Sequence, residues 1–421
     1  MSVSSPTRPR RRRTTILVAA ALAVALLGCG DDDDAATSTG PAGTTAPATT
    51  EPTSTGPAAT EPASTEAVTT DAVETTTGDT VAPTTEAAPA TTAAVAPAAW
   101  EQVVPGGDCQ CADGSEFSFW SREGDPEKVV LFFQGGGACF TAEMCSFTDG
   151  TYTVQADGSQ VTLGSAGVFD AANEANPFRD YSFVFVPYCT GDIHLGDAVH
   201  DYGDGLTVNH VGYVNASAGL DYVVENFPDA SEVFVTGSSA GGVPSPMFAG
   251  LASDALPDAA IASLSDASGA YPSSPAINAA IGSLWGTFAN VPDWPENEGL
   301  TPEDWGVPTL FVQAGLHDPD IRFARYDAAY DEVQQEFSDA AGFAGDDLKT
   351  TIEDNEAQIE AAGVPVASYI SPGTVHTILG DNAMYDLEVE GVPFVDWLTD
   401  FVAGDGVGDV VCVDCQNPAD A

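Results

Sequence analysis

The sequence predicts an α/β fold with a mainly parallel central sheet flanked by helices, and three observations carry the prediction. Short apolar runs bounded by Gly, Pro or Asp recur at residues 129–133, 181–186 and 233–236, the pattern of strands buried on both faces. Between such runs, residues 214–226 keep apolar side chains at three- and four-residue spacing, and residues 347–362 do so more weakly. Strand and helix therefore alternate, and alternation favours parallel strands joined by helical crossovers.

The elements follow in chain order. Residues 1–29 read as an address. Arg8 and Arg10 to Arg13 precede an apolar run at 16–27, which ends in Leu26-Leu27-Gly28-Cys29. A basic region, an apolar region too short to span a bilayer and a small-residue end make an export signal. The last four residues resemble the lipobox of bacterial lipoproteins, which implies lipidation at Cys29. Residues 30–99 follow as a spacer: from Asp31 to Ala99 there is no aromatic residue, Leu, Ile, Lys or Arg. Such a segment buries too little apolar surface to offset chain entropy, so disorder is expected. At roughly 3 Å per residue where extended, it could hold a domain on the order of 100 Å from a membrane.

From Trp100 onward aromatics, Ile, Leu and Cys appear together, which marks residues 100–421 as one globular domain. The chain of 421 residues carries 63 acidic and 11 basic side chains, and five of the basic ones lie in the first thirteen positions. The rest cannot neutralise a phosphate backbone, so nucleic-acid binding is excluded as a function. The same charge repels anionic headgroups, leaving an N-terminal lipid anchor as the only expected membrane contact.

Apart from Cys29, seven cysteines stand at 109, 111, 139, 145, 189, 412 and 415. In an exported chain they are expected to form disulfides. Cys139 and Cys145 enclose a short loop and make the simplest pair. Cys109 and Cys111 open the domain and Cys412 and Cys415 close it, so bridges between these two sets are expected to tie the termini; zinc binding by the four is the rival reading.

The chemistry is concentrated in three places. Gly237-Ser238-Ser239-Ala240-Gly241 follows an apolar strand, the spacing of a nucleophile elbow, where small residues flank a serine presented at a sharp strand-to-helix turn. Upstream, Gly135-Gly136-Gly137 follows the strand at 129–133. Consecutive glycines let amides converge on a developing oxyanion, with the N–H of Ala240 as a further donor. Of five histidines, only His376 stands late enough to leave room for an acid and a crossover after Ser239, and it follows a strand-like run at 366–370. His194, in a polar loop after a strand, merits attention as a substrate contact; His200, His210 and His317 read as structural.

With these motifs the chain resembles the pectin acetylesterase and Notum-type carboxylesterases, serine hydrolases of the α/β-hydrolase class. The resemblance runs through Cys111-Ala112-Asp113-Gly114-Ser115, residues 132–140, Pro187-Tyr188-Cys189-Thr190-Gly191-Asp192, residues 236–242, Asp331-Glu332-Val333-Gln334 and Thr374-Val375-His376. It implies a Ser239, Asp331, His376 triad and oxyanion donors at Gly136, Gly137 and Ala240. One departure bears on the acyl pocket: Gly137 and Ala138 stand where the family often has Trp. The acid is contested. Residues 308–316 can be read as an ordinary hydrolase acid strand, nominating Asp318, whereas the family pattern makes them a helix, residues 321–326 the strand and Asp331 the acid. Asp266 is a third candidate, as a support for the site.

The expected function is a secreted, membrane-tethered serine carboxylesterase acting on O-acyl esters, acetyl foremost, of carbohydrates or other surface molecules, with no cofactor and no metal. A longer-chain lipase or deacylase and a non-catalytic glycan-binding lipoprotein are the alternatives. Pectin itself would be repelled at low salt by so acidic a chain.

Overall fold

The computed structural model describes residues 98–156, 166–343, 347–413 and 415. The export segment, Cys29 and the spacer up to residue 97 lie outside them. The strands, in chain order, are β1 (Glu101–Val103), β2 (Phe119–Arg122), β3 (Asp125–Phe133), β4 (Tyr181–Val186), β5 (Ala198–Asp201), β6 (Thr207–His210), β7 (Glu232–Ser238), β8 (Ala260–Asp266), β9 (Arg322–Ala328), β10 (Val366–Ser371), β11 (Glu388–Val389), β12 (Val392–Pro393) and β13 (Val410–Val411). The helices are α1 (Gly212–Asn226), α2 (Ser245–Ala255), α3 (Pro275–Trp285), α4 (Val307–His317), α5 (Glu332–Ser338), α6 (Leu348–Ala361) and α7 (Phe394–Ala403).

Nine strands form one sheet in the order β1-β2-β4-β3-β7-β8-β9-β10-β13. Only the β1-β2 and β2-β4 pairs are antiparallel; β4 through β13 run parallel. The expected α/β-hydrolase-like class, a mainly parallel sheet flanked by helices, is what the chain adopts. Its central strands are apolar on both faces because both are covered. On one side Leu131, Val235, Val186 and Phe323 pack with Leu220, Phe248 and Phe311 of α1, α2 and α4. On the other, Phe132, Phe234, Leu264 and Tyr369 pack with Phe394, Trp397 and Phe401 of α7.

The stretch that reads two ways in sequence is a helix. Pro308 suits a first helical turn, where its missing N–H costs nothing, and Leu310, Phe311 and Ala314 are all buried in the core beside α2. Gly315 meets Val364 so closely that an added Cβ would lie 2.5 Å from its Cγ1. The strand is β9, and Asp331 follows it.

The disulfides correct one expectation. Cys111 joins Cys189, Cys139 joins Cys145, and Cys412 joins Cys415; among the described residues Cys109 is unbridged. No bridge ties Cys109 or Cys111 to Cys412 or Cys415. The reason is the sheet order: Cys109 and Cys111 follow β1 and Cys412 follows β13, and these strands are opposite edges, roughly 38 Å apart at ordinary strand spacing. A disulfide needs Cα atoms within about 7 Å. The Cys111 and Cys189 Cα atoms are 5.0 Å apart. With Cys111 oxidised, the four-cysteine zinc reading falls as well.

Candidate active site

Parallel pairing brings the carboxyl ends of β7, β8, β9 and β10 to one edge of the sheet, where ligands of open α/β sheets bind. In register, Ser238 lies beside Asp266, Asp266 beside Tyr326, and Ala328 beside Ser371. The chain leaves β7 at Ser239, whose φ of 54° costs a non-glycine residue about 1–2 kcal/mol. The glycines around it have a steric cause. A Cβ on Gly237 would strike the carbonyl of Gly241, and one on Gly241 the carbonyl of Phe133.

The Gly-rich loop after β3 lies directly on this turn. A Cβ on Gly135 would sit 2.5 Å from the Ser238 carbonyl oxygen and 2.8 Å from the Ser239 Cβ. Gly137 has φ 80°, and a Cβ there would strike the Thr151 carbonyl. Thr151 Oγ1 donates to the Ala138 carbonyl at 2.7 Å and the Thr153 N–H to that of Gly136 at 2.9 Å, so the loop is held by its neighbours. Among the described residues the amides of Gly136 and Gly137 donate to no protein acceptor, the condition an oxyanion site requires.

Asp331 is fully buried and caps α5. Its Oδ1 accepts the N–H groups of Val333 at 2.9 Å and Gln334 at 3.0 Å. Its Oδ2 accepts His376 Nδ1 at 2.7 Å and Gln334 Nε2 at 3.1 Å. An ionised carboxylate only accepts, so His376 carries its proton on Nδ1 and leaves Nε2 with a lone pair. Asp318 stands elsewhere, at the end of α4, where its Oδ1 accepts the Asp320 N–H at 3.0 Å. The turn after α4 holds it, and among the described residues it bonds to no histidine.

The other histidines are engaged in structure. His194 Nε2 meets the Gln134 carbonyl at 2.8 Å, and His210 sits between Thr190 and Tyr202. Burial pushes both imidazoles down to about 4, so both stay neutral at physiological pH. His317 stacks on Trp294 and pairs with Asp254 at 2.8 Å, away from the elbow. Cys139, Cys145 and His210 cluster closely enough to suggest a metal site, but the two sulfurs are spent on each other.

A cavity of about 190 Å³ opens at Ser239. Gly137, Ala138 and Ala240 line it near the elbow, and its depth is apolar: Val243, Met247, Ile281, Trp285, Phe288 and Leu310. Sequence reasoning missed α3, which forms one wall; Trp285 reaches back to donate from Nε1 to the Cys139 carbonyl at 2.8 Å. The available signal was charge: residues 267–292 contain no Asp, Glu, Lys or Arg in a chain otherwise crowded with acids.

Comparison with known proteins agrees with this architecture. The pectinacetylesterase family pattern matches residues 102–291, which include the Gly-rich loop and the elbow and stop short of Asp331 and His376. A palmitoleoyl-protein carboxylesterase NOTUM of Schmidtea mediterranea is 30% identical over 148 residues, 32% of this chain and 26% of the relative. Pectin acetylesterase 5 of Arabidopsis thaliana is 27% identical over 189 residues, 44% of this chain and 40% of the relative. The match thus spans less than half the length of either. The Drosophila Wnt deacylase Notum superposes with a TM-score of 0.52 at 16% identity, covering 73% of this chain and 94% of that structure, and a second crystal form gives 0.53 at 15% identity over 74% and 94%.

Proposed function

The chain belongs to the pectinacetylesterase family, and from that premise we propose that it is an exported serine carboxylesterase. Ser239 is the nucleophile, His376 the general base and then acid, and Asp331 the group that orients and charges-balances the imidazole. Ser239 Oγ attacks the ester carbonyl and His376 Nε2 takes its proton. The carbonyl oxygen becomes an oxyanion received by the amides of Gly136, Gly137 and Ala240. The alcohol leaves with the proton from His376, and water hydrolyses the acyl-enzyme by the same route. The observation that carries the reading is a positive-φ serine at the mouth of a cavity, in a sheet edge that also holds a buried carboxylate bonded to a histidine.

The cavity supports an acyl group longer than acetyl, in place of the acetyl preference expected from sequence. Two carbons would leave most of its apolar wall unfilled, and each further methylene buried there contributes about 0.8 kcal/mol. The substrate is an acylated carbohydrate or other surface ester, whose hydroxyl-bearing half leaves as the alcohol. Export is supported by three disulfides, and lipidation at Cys29 would tether the enzyme through its spacer.

Hydrolysis of nitrophenyl esters from acetyl to dodecanoyl by the full chain and by Ser239→Ala tests all of this. The parent should cleave medium chains fastest and Ser239→Ala none. Acetyl as the fastest substrate would restore the short-chain reading. No cleavage of any ester would favour the non-catalytic alternative.

A further inference from the structure

Asp266 ends β8 and is fully buried, yet the reaction as proposed gives it no part. Its Oδ2 accepts Ser238 Oγ at 2.6 Å, the Leu379 N–H at 3.0 Å and the Ile378 N–H at 3.1 Å; its Oδ1 accepts the Ile378 N–H at 2.9 Å. Ser238 immediately precedes the nucleophile. Ile378 and Leu379 follow the base by two and three residues. One carboxylate thus joins the turn that carries Ser239 to the loop that carries His376.

The backbone at each joined segment is strained. Seven described non-glycine residues have positive φ, and three belong here: Ser239 at 54°, Ala267 at 58° and Thr377 at 65°. Each adjoins a member of the bonded set: Ser238, Asp266 or Ile378. Strained conformations persist only where surrounding contacts over-determine them. Ser268 adds a second tie, its Oγ donating to the carbonyl of Ser239 itself at 2.8 Å.

Resting on the serine-hydrolase reading above, we propose that Asp266 is a positioning residue for the reaction, clamping the nucleophile turn to the loop of the base so that Ser239 and His376 keep their mutual geometry. A carboxylate suits this place because it accepts several bonds at once, which no neutral side chain of its size can do. Burial pushes its carboxyl up to about 6, against the bonds from Ser238, Leu379 and Ile378 that favour ionisation. A buried charge with such a cost is a poor stabiliser of the fold.

The test uses Asp266→Asn and Ser238→Ala in the full chain, with Ser239→Ala as control. Asparagine keeps one acceptor, which Ser238 and Leu379 claim, but turns an NH2 toward the Ile378 N–H. Turnover per serine titratable with a fluorophosphonate should fall about 10- to 100-fold in Asp266→Asn, the cost of a small misplacement at a reacting centre. KM should change little, and the melting temperature should fall by no more than the one unrelieved donor contact costs. Ser238→Ala, which removes one bond of the set, should lower turnover per site by roughly threefold to tenfold. A purely structural residue would do the reverse, lowering the melting temperature and the number of titratable sites while turnover per site holds; that result overturns the inference. If Asp266→Asn does not fold, unchanged turnover in Ser238→Ala overturns it alone. An active Ser239→Ala control would overturn the nucleophile assignment instead, so the two failures are separable.

Discussion

Asp331→Asn is the substitution in which the proposed mechanism and the local geometry meet most directly. The carboxylate accepts four hydrogen bonds, two on each oxygen. Asparagine has one oxygen to offer. The amides of Val333 and Gln334, fixed at the first turn of α5, claim it, because turning the NH2 toward them would forfeit a helix cap worth about 1 kcal/mol and oppose donor to donor. The Asn NH2 then faces His376 Nδ1 and Gln334 Nε2. To avoid a donor clash, the imidazole must accept at Nδ1 and carry its proton on Nε2, where it can no longer take one from Ser239. A wrong tautomer of this kind lowers turnover by about 10³- to 10⁴-fold, or roughly 4–5.5 kcal/mol of transition-state stabilisation. The unrelieved contact with Gln334 costs stability on the order of 1–2 kcal/mol. Turnover on a medium-chain nitrophenyl ester, with a thermal melt to confirm folding, reads both. Asp318→Asn should stay within about twofold of the parent, since it alters only a surface turn. A folded Asp331→Asn enzyme within tenfold of the parent would refute the reasoning, the more so beside an inactive Asp318→Asn.

Other consequences are open to measurement. Along a saturated acyl series kcat/KM should climb by up to about fourfold per methylene until the cavity is full, and a flat profile would show that the acyl chain does not enter it. Asp266 has its carboxyl raised to about 6 from 3.8, so between those pH values the folded chain holds a proton that the unfolded chain has lost. Stability from this group therefore falls as pH rises through that window, by roughly 3 kcal/mol, and is level above it; urea unfolding at pH 4 and pH 7 should show a shallower change in Asp266→Asn than in the parent, and an identical change would contradict the sign. Removing the Cys111–Cys189 bridge, which spans 78 residues, should cost about 4.5 kcal/mol on the chain-entropy account, as read by denaturant unfolding of the double alanine variant. With 63 acidic side chains against 11 basic ones, raising sodium chloride from about 0.1 to 1 M should raise the melting temperature, as the screening length falls from about 10 to 3 Å; an unchanged value would mean that self-repulsion is negligible.

The sequence by itself determined the features whose cause is local. The elbow is legible because its Gly-x-Ser-x-Gly spacing follows an apolar strand, and at Gly237 the lack of room for a Cβ is imposed by Gly241 within the same turn; at Gly241 it comes from Phe133 on the neighbouring strand. The Gly-rich loop is legible as three consecutive glycines after a strand, although what excludes a Cβ at Gly135 and Gly137 is Ser238 and Thr151, which only the fold brings there. The class of fold followed from β3, β4 and β7, whose unbroken apolar runs only a sheet covered on both faces could absorb. Other features depended on which strands became neighbours. Residues 308–316 fit helix and strand templates alike until packing against α2 and Val364 selected the helix, which leaves Asp331, not Asp318, after the next strand. Spacing gave the Cys139–Cys145 pair, but not the others, since the sheet order puts the two ends of the domain on opposite edges and brings Cys189 to Cys111 from 78 residues away. The apolar cavity and the grip of Asp266 on Ser238, Ile378 and Leu379 exist only where β7, β8 and the loop after β10 converge. Periodicity records which face of an element is buried; it carries no information about what that face will meet, and the apolar cavity and the hydrogen bonds of Asp266 consist entirely of such meetings.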